Sequence, residues 1–462
     1  MARALEKNSH NSSLPPSRDS SEQKAKTNAK RRGRGKRRRP GGQEGHVGHN
    51  RPLVPPKRVD RWRHCYPEEC RRCGKDLREV PPDPDPLHHQ VAEIPEIEPT
   101  VTDHVQHRVT CPDCNTRTTA SLPTGVPRSS FGVNLRSLVV LLAGRFRISR
   151  RETVELCRDV FGLSVSVGTI ANILAKTSKA LAAPYVEVEA TVKTADVVYA
   201  DETGWREKGK PFHLWIVVTA LVMLFRIARR TKAVAQDLLG AEFEGTAITD
   251  RYAAYRWIAD DRHQACWNHL RLDFAELAER DGDAKRIGEA GKKLSASLFK
   301  VWRAYRAGAI DWTTMQRRMT RVEVRTGQLL QQGCVSDDEA ARRLCQSLRW
   351  VEPSLFVFAR VPGVEPTNNI SERGIRPAVQ WRKICLGTQS HSGSRFVERM
   401  LTVVGTCRLH DRPLLPYLRD VLKAADAGRK IPSLLPAHVD QRPPSHAPPM
   451  SADECNLKRR LG

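Results

Sequence analysis

Asp196-Val197-Val198-Tyr199-Ala200-Asp201-Glu202-Thr203-Gly204-Trp205 is the stretch on which the reading of this chain turns. Val197, Val198, Tyr199 and Ala200 have the β-branched and aromatic bias of a short buried strand. The run meets two carboxylates and then Gly204, a turn signal, so Asp201 is expected at a strand end. Ligands of open sheets collect beyond strand ends, and an acid there is placed to hold a divalent cation. Taken alone, Asp-Glu after a strand is more often a solvated turn.

Two later segments change that balance. Residues 245–250, Gly-Thr-Ala-Ile-Thr-Asp250, repeat the pattern of a β-prone run ending in an acid, followed by Tyr252, Tyr255 and Trp257. Thr367-Asn-Asn-Ile-Ser-Glu372-Arg373 offers Thr367 as the cap of a helix with Glu372 in its second turn. Two strand-end aspartates and one helix-borne glutamate can hold two Mg²⁺ or Mn²⁺ ions roughly 3.5–4 Å apart. At that separation one ion activates an attacking oxygen and the other stabilises the leaving one.

The 462 residues leave room for two or three domains. With 77 Lys and Arg against 52 Asp and Glu, the formal charge is +25, which favours a polyanionic partner through counterion release. The longest apolar runs, such as 214–225, are too short to span a bilayer, and residues 1–10 lack the apolar core of a signal peptide. No membrane role is expected. The 12 Cys are mostly scattered, which fits a reducing compartment.

In chain order, residues 1–60 are expected to be a disordered basic arm, with 16 Lys or Arg against 5 Asp or Glu. Its block at 30–39, including Arg31, Arg32, Arg37, Arg38 and Arg39, can track phosphates. A zinc-binding domain is expected over 61–125. Cys70-Arg-Arg-Cys73 and Cys111-Pro-Asp-Cys114 are two Cys-x-x-Cys turns that together supply the four ligands of one structural Zn²⁺. His64, Cys65, His88 and His89 are alternative ligands. Over 130–190, three amphipathic helices, from 133 to 147, from about 149 to 161 and from about 166, fit a helix-turn-helix whose last helix enters the major groove. Plain helical packing is the rival reading.

Residues 191–265 read as a long hairpin, a third strand, a helix over 233–239, a strand at 246–249, a helix around 252–259 and a strand near 263–266. A hairpin feeding a parallel continuation is what an RNase H-like core requires. Residues 270–350, charged and nearly free of Pro, are expected to be long inserted helices. Beyond Glu372 come Arg373, Arg376, Arg382 and Lys383, candidates for phosphate contact, with Pro377 limiting their helix. A last amphipathic helix is expected at 394–409 and a mobile tail over 426–462. The whole is an α+β multidomain chain: zinc module, helix-turn-helix, and an α/β catalytic domain over 191–425 with a helical insertion.

With these pieces in view, the chain resembles the insertion-sequence-66 family of bacterial transposases over about residues 30–425. The resemblance rests on the basic Arg-Arg-Arg-Pro-Gly-Gly-Gln-Glu-Gly-His segment, the paired Cys-x-x-Cys, Asp201-Glu-Thr, Asp250-Arg-Tyr, Cys266-Trp-Asn-His269-Leu-Arg-Leu-Asp-Phe and Asn368-Asn-Ile-Ser-Glu372-Arg-Gly-Ile-Arg-Pro. It implies an RNase H-like domain whose Asp-Asp-Glu triad is Asp201, Asp250 and Glu372, and Mg²⁺-dependent cutting and joining of element ends. It also implies a bacterial cytoplasmic, nucleoid-associated protein. Its partners would be double-stranded DNA at element ends and target, other copies of itself, and accessory proteins of the element. Cys266 and His269 resemble a pair found after the second acid in several transposase groups; two ligands do not complete a Zn²⁺ site, and a structural or DNA-positioning role is expected. The alternatives are an inactive DNA-binding regulator and a nuclease without joining activity.

Overall fold

The computed structural model describes residues 19–20, 22–23, 52–123, 126–127 and 129–436. The basic block with Arg31, Arg32, Arg37, Arg38 and Arg39 lies outside the described residues, as does 437–462. The chain forms two compact units, residues 24–99 and residues 1–23 with 100–462. In the smaller one, a 3₁₀ turn at Pro56–Arg58 precedes irregular chain, and the Gln90 amide both donates to and accepts from the Val54 backbone.

The larger unit begins with an exposed antiparallel hairpin, β1 (Arg108–Thr110) and β2 (Arg117–Thr119). Four helices follow: α1 (Val133–Gly144), α2 (Arg150–Phe161), α3 (Val167–Ala180) and α4 (Ala182–Lys193). Their boundaries follow local chemistry. Ser149 and Glu152 make a reciprocal capping box at the start of α2, Gly162 ends it in the left-handed region, and Ser166 caps α3 through the Thr169 N–H.

The sheet holds five strands: β3 (Val197–Glu207), β4 (Lys210–Val218), β5 (Met223–Ala228), β6 (Thr246–Thr249) and β7 (His263–Ala265). Their order is β5-β4-β3-β6-β7. The first three are antiparallel; β6 and β7 continue parallel to β3, with Tyr199 opposite Ile248 as the last β3–β6 pair. Helix α5 (Lys232–Leu239) makes the crossover from the edge strand β5 back to β6.

Between β7 and the third acid lie α6 (Trp267–Ala278), α7 (Gly282–Arg306), α8 (Trp312–Cys334) and α9 (Glu339–Trp350). This is the helical insertion expected from the charged, Pro-poor composition. It is tied to the sheet by Gln264 of β7, which donates to Leu355 O and accepts the Phe358 N–H. Trp267 also donates to Leu355 O and packs edge-on against Phe356. The chain returns through α10 (Asn369–Cys385), α11 (His391–Leu409) and α12 (Leu414–Asp426).

Helix α11 covers the open edge of the sheet with side chains spaced four apart. Glu398, Thr402 and Thr406 accept the outward N–H groups of Ile227, Phe225 and Met223, spaced two apart on β5. Four residues of helix rise about 6 Å and two of strand about 6.5 Å, so the two periods match, and the edge is closed without another strand.

Several local expectations are corrected. The strand carrying Asp201 does not stop at the carboxylates. It runs to Glu207 because Thr203, Gly204 and Trp205 pair with β4; the turn is at Lys208–Gly209, both at positive φ, the pattern of a two-residue hairpin loop. In place of the helix expected around 252–259 there is one 3₁₀ turn, Ala253–Tyr255, and a second, Asp260–Arg262, follows that range. Helix α10 is preceded by Asn368, with Thr367 outside it, so Glu372 falls in its first turn. Nor does Pro377 end it: α10 continues for two more turns to Cys385, because Ile375, Ala378 and Trp381 are buried, and that burial exceeds the ~3 kcal/mol penalty of an interior proline. Helix α11 is not the last. Helix α12 follows, its Asp426 in an ion pair with the buried Arg136 of α1, and the packed chain reaches residue 436, with Leu434 in the core. Among the described residues, no helix is long and apolar enough to cross a membrane.

Candidate functional site

Two strands and two helix starts converge at one place. Asp201 lies in β3, two residues past the last parallel pair with β6, and Asp250 directly follows β6. Helix α6 begins at its cap Cys266, whose N–H donates to Thr249 O at 3.0 Å. Helix α10 begins at Asn368, whose side-chain N–H₂ donates to Ala200 O at 2.7 Å and whose backbone N–H donates to Cys266 Sγ at 3.2 Å. Trp267 N–H donates to Pro366 O and the Asn268 amide to Asn369 Oδ1, so the two helix starts are fastened to each other. These contacts set Glu372, near the start of α10, against the strands.

The result is a pocket of acids. Asp201 is the most perturbed: burial, then the neighbouring charges of Glu202, Asp250 and Glu372, push its carboxyl up to about 8, against a single opposing hydrogen bond from the Glu202 N–H. Asp250 and Glu372, from distant parts of the sequence, are thus close enough for their charges to act on Asp201. Asp250 Oδ1 accepts the Tyr252 N–H at 2.9 Å, which fixes the loop after β6.

Glu202 is a fourth acid, not assigned a role by the sequence reading. Its side chain is 1% exposed; Oε1 accepts two hydrogen bonds from Arg230, at 2.8 and 2.6 Å, and Oε2 accepts one from the Tyr255 hydroxyl at 3.0 Å. Burial and Asp250 raise its carboxyl above the ordinary range, and Arg230 opposes them. Arg230 also lies 3.5 Å from the centroid of the Tyr252 ring. The aromatic residues after Asp250 therefore build a socket for the Arg230–Glu202 pair. Adjacency of Asp201 and Glu202 was visible in sequence, but their division into one acid with a dedicated cation and one without was not.

Glu372 also faces Cys266 and His269. One ligand atom from each of these three residues lies within 4.8 Å of the others. The basic residues on α10 divide. Arg373, Arg376 and Lys383 are exposed, whereas Arg382 donates to Thr203 Oγ1 at 3.0 Å and Gly204 O at 2.6 Å.

The Cys-x-x-Cys turns fall in different units. Each has the same closure. Gly74 N–H donates to Cys70 O and Asn115 N–H to Cys111 O, with Gly74 at φ 71° and Asn115 at φ 55°. The Arg72 backbone, for Cys70, and Thr116, for Cys114, draw those thiols below their ordinary range.

A family model described as the transposase IS66 family matches residues 128–395, and one described as a family of unknown function matches residues 1–52. The chain is 24% identical to the uncharacterized protein y4hP of Sinorhizobium fredii (strain NBRC 101917 / NGR234) over 363 residues, 70% of this chain and 64% of that protein. It is 24% identical to the uncharacterized protein y4qI of the same strain over 282 residues, 53% of this chain and 51% of that protein. The chain thus spans less than two thirds of the length of these relatives. The family match covers more than half of the chain, from α1 through the acid pocket into α11: the chain belongs to the IS66 family of transposases.

Proposed function

We propose that the protein binds the ends of a DNA element and cuts and joins DNA strands at Asp201, Asp250 and Glu372, on an RNase H-like core. The observation that supports this reading is that Asp201 in β3, Asp250 just after β6 and Glu372 at the start of α10 lie near enough for the charges of Asp250 and Glu372 to raise the Asp201 carboxyl. The strand order β5-β4-β3-β6-β7, with acids on the first strand of the core and after its fourth, is consistent with it.

Asp201, Asp250 and Glu372 do not bring one oxygen each within 4.8 Å of one another as Cys266, His269 and Glu372 do, so holding hard divalent cations requires their side chains to close further. Carboxylate oxygens are the ligands Mg²⁺ and Mn²⁺ take, and Arg230 is committed to Glu202, leaving the repulsion around Asp201 without a dedicated partner. A pair of such ions, when bound, would supply Lewis-acid stabilisation of the attacking and leaving oxygens. The chain's own groups do the positioning. Asp201 and Asp250 hold their places on the rigid sheet; Glu372 is brought to them by the Asn368–Ala200 hydrogen bond. The Arg230–Tyr255 socket holds Glu202 and leaves Asp201 without a cation of its own. Exposed Arg373, Arg376 and Lys383 give α10 a cationic surface for the phosphate backbone. Helix α3 is proposed to read the groove, and each Cys-x-x-Cys turn to give two thiolates to structural Zn²⁺.

The test is strand cleavage with Mg²⁺ on DNA carrying element ends. Asp201→Asn and Glu372→Gln are expected to abolish cutting while end binding stays within a factor of a few. Cleavage at the normal rate by either variant refutes the assignment.

A further inference from the structure

The Cys266–His269 pair acquires a third ligand from the fold. Cys266 is fully buried at the cap of α6, and His269, one turn on, lies on the same side of the helix. Neither reaches the other's coordination chemistry alone. The start of α10 then delivers Glu372, whose Oε1 lies 3.9 Å from Cys266 Sγ. Among the described residues, this is the one group of three or more His, Cys, Asp or Glu residues placed to share an ion.

We infer that Cys266, His269 and Glu372 form a three-ligand site for a borderline divalent cation, Zn²⁺ by its chemistry, distinct from the all-oxygen acid pocket and joined to it through Glu372. Three observations carry this. The ligand atoms already lie within 4.8 Å of one another, so small side-chain adjustments bring them to three corners of a tetrahedron. His269 Nδ1 is buried and has no hydrogen-bond partner, a cost that a cation or its ligand shell removes. Cys266 Sγ sits where two helix starts meet, accepts the Asn368 N–H and lies 3.9 Å from Glu372 Oε1, so the sulfur is already held facing the other ligands.

Sulfur and imidazole ligands select Zn²⁺ over Mg²⁺, while a carboxylate accepts both. Glu372 has two oxygens. Held by one of them against the Cys266–His269 ion, it presents the other to Asp201 and Asp250. Two different cations would therefore be read by one carboxylate, and the softer one would set its orientation.

Cobalt binding to the full-length chain is the test, with Co²⁺ as the spectroscopic stand-in for Zn²⁺. The wild type is expected to hold one more Co²⁺ per chain than Cys266→Ser or His269→Gln, and its thiolate-to-cobalt absorption should lose the matching increment in Cys266→Ser. Glu372→Gln should weaken that increment by at least tenfold. Equal Co²⁺ content in the wild type and a folded His269→Gln chain overturns the site, and His269→Gln remains decisive if Cys266→Ser does not fold. Because the readout is metal content, a chain that holds the extra ion yet never cuts DNA overturns only the cleavage reading. One that cuts DNA without that ion overturns only this one.

Discussion

Asn368 is the residue by which the structure brings the third acid to the other two, and its replacement tests that claim directly. It is fully buried, its amide donates to Ala200 O at 2.7 Å, and its own Oδ1 is buried without a partner. Asn368→Ala removes the one donor and leaves the Ala200 carbonyl short of a partner, a cost of about 1–3 kcal/mol. Deleting the unpaired Oδ1 returns part of that, so a net loss of about 1–2 kcal/mol is expected. The larger effect is on geometry. With the tie cut, α10 is free to move relative to β3, and a displacement of ~1 Å at Glu372 lowers cleavage by ~100-fold. Asn368→Asp should be worse in both respects, since it sets a negative charge against a carbonyl beside four acids. Urea unfolding followed by circular dichroism, with the slope unchanged, gives the first quantity; single-turnover cleavage with end binding measured in parallel gives the second. If Asn368→Ala unfolds at the wild-type midpoint and cuts at the wild-type rate, the amide does not position Glu372 and the account of the pocket's assembly is wrong.

Further expectations concern charge and packing. Burial, outweighing the neighbouring Arg395, raises the Glu398 carboxyl to about 7 from the ordinary 4.5. Its contribution to stability is full below about 4.5 and lost as pH rises through about 7, so the melting temperature should fall more steeply between pH 5 and 8 in the wild type than in Glu398→Gln; parallel curves would contradict this. Gly288 of α7 lies against the Ala278 backbone, where an added Cβ overlaps main-chain atoms, so Gly288→Ala should destabilise by about 2 kcal/mol in urea despite its better helix propensity. In DNA binding, Arg373→Ala, Arg376→Ala and Lys383→Ala should each reduce the slope of log K against log salt by about one. Arg382→Ala should leave that slope unchanged and lower stability, because its guanidinium is spent on Thr203 and Gly204; a lowered slope would make it a phosphate ligand after all.

Elements with local signals could be read from the residues alone. β5 and β6 fall where their β-branched and aromatic runs place them, α2 begins at its capping box, and the helical insertion follows from a long charged stretch with almost no Pro. The sequence also nominated Asp201, Asp250 and Glu372, whose shared role is the proposal made above. Where it erred, non-local burial overrode a local rule: pairing with β4 carried β3 past the acids, and core packing carried α10 through Pro377.

Which groups come together was settled by the packing of distant segments. Asp201 and Glu202 are neighbours in the chain, yet Arg230 and Tyr255, from later segments, reach one of them alone. Cys266 and His269 were an incomplete pair until Glu372 arrived, and Asn368 gave no sign that its amide would tie a helix start to a strand. Such assignments depend on distances between residues a hundred or more positions apart, and periodicity and capping rules carry no information over that range. The physical reason is that a side chain's partner is set by where the core places two backbones, and the core is a property of the whole chain.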